Sequence, residues 1–194
     1  MFIVECLLTL GIRMAELTRA TMTDIHRERG AWWFRAIGKG NKERQVPAVE
    51  RFMRSFQDYR LSIELPTLPA TDEATMPLIQ YVTTNNRGAI SEYQIRKIVK
   101  PLLTKAADLL VTRAETTKDA MLQMDLHADA EKLRQATPHW FRHTYATNLH
   151  DAEVDPRIIK TCLGHASLDT TMIYSHTEAK ARHEAIEKAL SETT

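Results

Sequence analysis

Residues 31–48, AWWFRAIGKGNKERQVPA, decide the fold class. The run AWWFRAI is rich in strand-prone aromatics, GKGN supplies a turn, and ERQVPA leads back out. Together they predict a β-hairpin. Away from the hairpin the pattern becomes helical. Upstream, Phe2, Cys6, Leu7, Leu10, Met14 and Leu17 recur at helical spacing over residues 1–20. Gly11 inside that pattern marks a helix break or a close approach. Downstream, Val49, Phe52, Met53, Phe56, Tyr59 and Leu61 give an amphipathic helix over 48–63. ELPTLPATDEATMP reads as a loop, PLIQYV as a short strand and NNRG as a turn.

Ser91 is placed to cap a helix whose inward residues are Ile95, Ile98, Val99, Leu102 and Leu103. Residues 104–136 lack Gly and Pro and predict one or two helices projecting from the core, a helical insertion at the surface. Thr137-Pro138 and Asp155-Pro156 each open a helix, and Gly164 closes the second. Ser167 caps a short helix holding Tyr174. Residues 177–191 form a last helix, with Ala179, Ile186, Ala189 and Leu190 roughly on one side. The expected fold class is α+β, mainly α, with a small antiparallel sheet near the N-terminal third.

The chain has 194 residues, enough for one domain or two small ones. Its apolar runs are too short to span a bilayer. The first residues carry Glu5 and Arg13 within an apolar stretch and lack a basic leader, so no signal peptide is read. Cys6 and Cys162 each sit in an apolar helical pattern, which predicts buried free thiols and a reducing cytoplasm. The net charge is only +1, but residues 1–60 hold 11 Lys and Arg against 7 Asp and Glu. That concentration fits either a local phosphate-facing surface or an ordinary solvated face.

Several residues are suited to chemistry. His139 and Arg142 stand three apart at a predicted helix N-terminus, where anions are favoured and a guanidinium fork matches phosphate oxygens. A surface Arg beside a packed His reads equally well. Arg13 and Glu16 are also three apart, either as an oriented guanidinium or as a plain surface pair. Lys39 lies between Gly38 and Gly40 at the hairpin tip, where backbone can approach a ligand closely, or where a simple hydrophilic turn sits. Lys42 and Arg44 share the hairpin. His139 and His143 have zinc-like spacing. Arg142 between them would oppose a cation, so no metal is predicted.

In order and rough spacing, GIRMAEL (11–17), GKGNKERQVP (38–47), HWFRHTYAT (139–147) and LGHASLDTTMIYSH (163–176) resemble the tyrosine recombinase, or phage integrase, family. The resemblance covers residues 3–177 and identifies the catalytic domain, over 1–177 with 104–136 inserted and 178–194 as a tail helix. It implies that Arg13, Lys39, His139, Arg142, His165 and Tyr174 form the catalytic set, with Glu16 in support and Lys42 and Arg44 at DNA. It also implies DNA cleavage and rejoining through a 3′-phosphotyrosine, without a cofactor.

The implied partner is double-stranded DNA. A homotetramer is expected for the full-length protein, and a monomer for this chain by itself. The family's N-terminal helical clamp has no counterpart here, so weak DNA binding and poor complete recombination are expected. A non-catalytic DNA-binding regulator and a type IB topoisomerase-like enzyme are the rival readings.

Overall fold

The computed structural model describes residues 2–83, 86–164 and 176–191. The N-terminal helical pattern resolves into α1 (Phe2–Leu10) and α2 (Met14–Arg19), broken at Gly11. Gly11 has φ +57°, and a Cβ there would stand 2.3 Å from Cδ1 of the Tyr145 ring. Both readings of Gly11, break and close approach, therefore hold. Left-handed backbone costs a side-chain-bearing residue about 1–2 kcal/mol. Forcing an extra carbon into a packed core costs about 1–3 kcal/mol more. Gly11→Ala is expected to destabilise by roughly 3 kcal/mol in urea melts; an unchanged midpoint would show that Tyr145 yields freely.

Strands β1 (Ile25–Glu28), β2 (Ala31–Ile37) and β3 (Glu43–Pro47) form an antiparallel sheet in that order. The expected hairpin is β2–β3, in a register that sets Ala36 opposite Arg44. Strand β1 was not expected. Only Ile25 of its four residues is buried, and its two-residue connection, Arg29-Gly30, has positive φ at both positions. That is the mirror-image turn suited to hairpins, built without the usual Asn-Gly signal.

A second hairpin joins β4 (Gln80–Thr83) and β5 (Asn86–Ala89). This corrects the turn expected at NNRG: Asn86, Arg87 and Gly88 lie in β5, where pairing with Tyr81–Thr83 overrides their turn preference.

Helix α3 (Glu50–Ser62) buries Phe52, Met53 and Phe56. Leu61, expected inward, is exposed, and so is Ile98. Helix α4 (Glu92–Thr116) begins where Ser91 Oγ accepts the Gln94 N–H at 3.2 Å and continues through Pro101. It packs along α5 (Ala120–Gln135), whose first turn is capped by Asp119. The buried small residues Ala107, Ala114 and Ala130 let the two helices approach closely. Residues 104–136 are thus the second part of α4 and all of α5, a helical hairpin.

Helix α6 (Pro138–Asp151) starts at Thr137-Pro138. Helix α7 (Pro156–Leu163) starts where Asp155 accepts the Arg157 N–H at 2.8 Å and stops at Gly164, φ +63°. The short helix expected around Tyr174 lies outside the described residues. Helix α8 (His176–Ser191) packs on its own chain through Ile186, Ala189 and Leu190. Its Glu187 carboxylate accepts the Glu50 N–H at 3.0 Å, at the start of α3. The orientation of Ala179 falls outside the description.

The core gathers Cys6, Leu7 and Leu10 of α1, Phe52 and Phe56 of α3, and Tyr145 and Leu149 of α6. Phe2 stacks on Tyr59 at 4.7 Å between ring centroids. Both cysteines are free and buried. No helix among the described residues is long and apolar enough to cross a membrane. The core seats α1, α2, α6 and α7 so that the α1–α2 break, the α6 N-terminus and the end of α7 converge.

Candidate active site

Arg13 occupies the cap position of α2, with extended backbone. Its N–H would lack a partner at a bare helix start. Glu16 reaches back to supply one, with Oε2 2.8 Å from the Arg13 N and Oε1 3.1 Å from Nη1. The spacing of three seen in the sequence thus turns the Glu16 carboxylate toward the guanidinium. Glu16 is buried, while the Arg13 side chain is 44% exposed. Arg13 is therefore held at its base and open at its head.

Arg142 arrives from the second turn of α6 and is buried. Its Nη1 donates to the Gly11 carbonyl at 2.6 Å, and its Nη2 donates to the Leu163 carbonyl. The glycine break between α1 and α2 thus presents an acceptor that helix geometry would have consumed. Burial, with Arg13 and Arg44 nearby, pushes the Arg142 guanidinium down to about 10. It stays cationic at neutral pH, in surroundings that raise the cost of its charge.

Arg44, expected at DNA, has its side chain turned inward onto Glu16. In β3 it shares a face with Val46, because side chains alternate along a strand. Val46 is fully buried. Arg44 follows it inward and forks onto Glu16, with Nη1 to Oε1 at 2.8 Å and Nη2 to Oε2 at 2.7 Å. That alternation was the signal available in ERQVP. Lys39 and Lys42 stay exposed on the hairpin and bond to none of these groups among the described residues.

Burial would raise the Glu16 carboxyl, but hydrogen bonds from Arg44 and from Arg13 outweigh it and hold the group below its ordinary value. A depressed carboxylate contributes stability that is complete above its unfolded value, about 4.3, and is lost as pH falls through the folded one. The stability gap between the parent chain and Glu16→Gln should therefore be full at neutral pH and shrink under acid. A gap that stayed constant from neutral pH to pH ~3 would refute this linkage.

His139 is exposed, one turn before His143, and their rings meet edge-on at 4.8 Å. Partial burial, then His143, Arg142 and Arg13, lower its pKa, which favours the neutral imidazole. Among the described residues no group of three or more His, Cys, Asp or Glu is placed to hold a metal ion. His165 and Tyr174 lie outside the described residues. The structure thus brings together Arg13, Glu16, Arg44, His139 and Arg142, and leaves Lys39 on the hairpin. Sequence reasoning had no view of the Gly11 and Leu163 carbonyls that hold Arg142.

Residues 1–181 match the sequence pattern described as the phage integrase family. The chain belongs to the phage integrase family. It is 32% identical over 189 residues to tyrosine recombinase XerC of Pelobacter propionicus, covering 96% of this chain and 50% of that protein. It is 29% identical over 187 residues to tyrosine recombinase XerA of Pyrococcus furiosus, covering 96% and 53%. The chain spans about half the length of the curated relatives it matches. Its fold resembles that of the XerH site-specific recombinase bound to palindromic difH substrate, with a TM-score of 0.56 at 22% identity over 95% of this chain and 43% of that one. It also resembles the integrase from mycobacterium phage Brujita, with a TM-score of 0.58 at 17% identity over 97% and 50%.

Proposed function

We propose that this chain is the catalytic domain of a tyrosine-type site-specific DNA recombinase that cuts and rejoins DNA through a 3′-phosphotyrosine. The observation that carries the reading is the gathering of Arg13, Arg44 and Arg142 around the single carboxylate of Glu16. One carboxylate against three guanidinium ions leaves two positive charges uncompensated at a partly buried site. Such a site favours an anion, and a phosphodiester gains charge on its non-bridging oxygens as it reacts. The relatives' names, tyrosine recombinases XerC and XerA, point to the same chemistry.

In this mechanism Tyr174 Oη bonds to phosphorus and the bond to the 5′-oxygen breaks. The phenol proton leaves to His139 or a neighbour, and Lys39 gives a proton to the departing 5′-oxygen. Arg13, Arg142 and His165 hold the phosphate. A second strand's 5′-hydroxyl then attacks the phosphotyrosine and restores the tyrosine, so the bond energy is conserved and no cofactor enters. Lys42 sits with Lys39 on the hairpin, where a flanking phosphate is its natural contact. The full-length protein acts as a homotetramer on double-stranded DNA in the cytoplasm. Mixing this chain with a nicked duplex, whose short 5′-hydroxyl strand diffuses away after cleavage, should trap a detergent-stable protein–DNA adduct. No adduct at saturating DNA would reject the catalytic reading in favour of a DNA-binding regulator.

A further inference from the structure

Arg44 touches more of the candidate site than its place on β3 suggests. Its side chain is 9% exposed. Besides the two-pronged contact to Glu16, its Nε donates to the Cys162 carbonyl at 2.7 Å. Arg142 takes the next carbonyl, that of Leu163. The two arginines therefore close consecutive carbonyls at the C-terminal end of α7, where helix geometry leaves acceptors unpaired.

Two glycines border the same guanidinium. A Cβ at Gly164, the residue before His165, would stand 3.0 Å from Arg44 Cδ. A Cβ at Gly38, the residue before Lys39, would stand 3.4 Å from Glu16 Oε1 and 3.6 Å from Arg44 Nη1. One side chain thus meets the root of the Lys39 hairpin, the carboxylate that holds Arg13, and the segment leading into His165.

We propose that Arg44 is a positioning residue that fixes the Lys39 hairpin, Arg13 and the end of α7 relative to one another, and that it makes no essential DNA contact. The inference rests on the catalytic reading above. Three of the five N–H donors of Arg44 face protein acceptors in fixed directions, and its burial keeps it back from a DNA surface. The planar fork matters because it meets both carboxylate oxygens while Nε reaches a third acceptor. Lysine, with one point charge on a flexible stem, cannot reproduce that geometry.

The test measures single-turnover adduct formation at saturating nicked duplex, together with duplex affinity across a salt series. Arg44→Gln should slow the saturating rate by about 100-fold, the scale expected when reacting groups are misplaced by about an ångström. Affinity should fall by only about a few-fold, from the loss of one nearby charge, and its salt slope should stay as in the parent chain, because no phosphate contact is lost. Arg44→Lys should not restore the rate. Arg44→Gln combined with Glu16→Gln should be no slower than the slower single variant, since both act through one pair.

A preserved saturating rate, with weaker binding and a salt slope reduced by about one, would make Arg44 a phosphate contact instead. Loss of cooperative melting in both the Gln and Lys variants would make it purely structural. Either result overturns the inference alone. Absence of adduct with the unsubstituted chain overturns the catalytic reading and this inference with it.

Discussion

Arg142→Lys is expected to slow adduct formation by about 100-fold or more while leaving a folded chain, because removing one preorganised donor from a developing oxyanion costs about that much. The Arg142 guanidinium spans two acceptors on different segments, the carbonyls of Gly11 and Leu163. These bonds set its orientation before substrate arrives. Two of its five donors are occupied in this way, which leaves three N–H groups without a protein partner among the described residues.

A lysine keeps the charge but not the span. It can satisfy one carbonyl or turn toward phosphate, and it cannot hold a fixed direction while doing both. Arg142→Ala should be at least as slow and should also melt earlier, because both carbonyls then lose their donor in a buried setting. Rapid-quench measurement of adduct on a nicked duplex separates the two effects, since the rate is read on folded protein. A lysine variant within a few-fold of the parent rate would mean that charge alone suffices, and that the orientation imposed by Gly11 and Leu163 is irrelevant.

The same contact bears on how much the sequence can disclose. Arg13 and Glu16 are legible because their link is local, three residues apart on one short helix. The helix starts at Ser91, Thr137-Pro138 and Asp155-Pro156 are legible for the same reason: capping is a matter of neighbours. The β2–β3 hairpin announces itself through a dense aromatic run and a glycine-flanked turn.

Strand β1 does not announce itself, because only one of its four residues is buried and the Arg29-Gly30 turn is uncommon chemistry. NNRG misleads because turn preference is weak beside the pairing with β4. The two carbonyls of Arg142 come from residues 131 and 21 positions away, so nothing local encodes them. Arg44 lies between these cases. Its alternation with buried Val46 points it inward, but which carboxylate it meets is settled only when β3 lies against α2 and α7.

Tyr174→Phe carries the largest expected effect, complete loss of the covalent adduct. Phenylalanine keeps the ring and removes only the oxygen that would bond to phosphorus, so folding and DNA affinity should hardly change. Tyrosine in water has a pKa of about 10 and attacks poorly at neutral pH. In the proposed mechanism, the excess positive charge of Arg13, Arg44 and Arg142 would favour the anionic form of a phenol brought against it, as well as the phosphate under attack.

The most direct measurement is to trap the adduct on a nicked duplex, digest the protein, and locate the nucleotide-bearing residue by mass spectrometry, in parallel with Tyr174→Phe. The account predicts a single modified residue, Tyr174, and no adduct from the phenylalanine variant. An adduct that persists in Tyr174→Phe, or a nucleotide found on any other side chain, would contradict it.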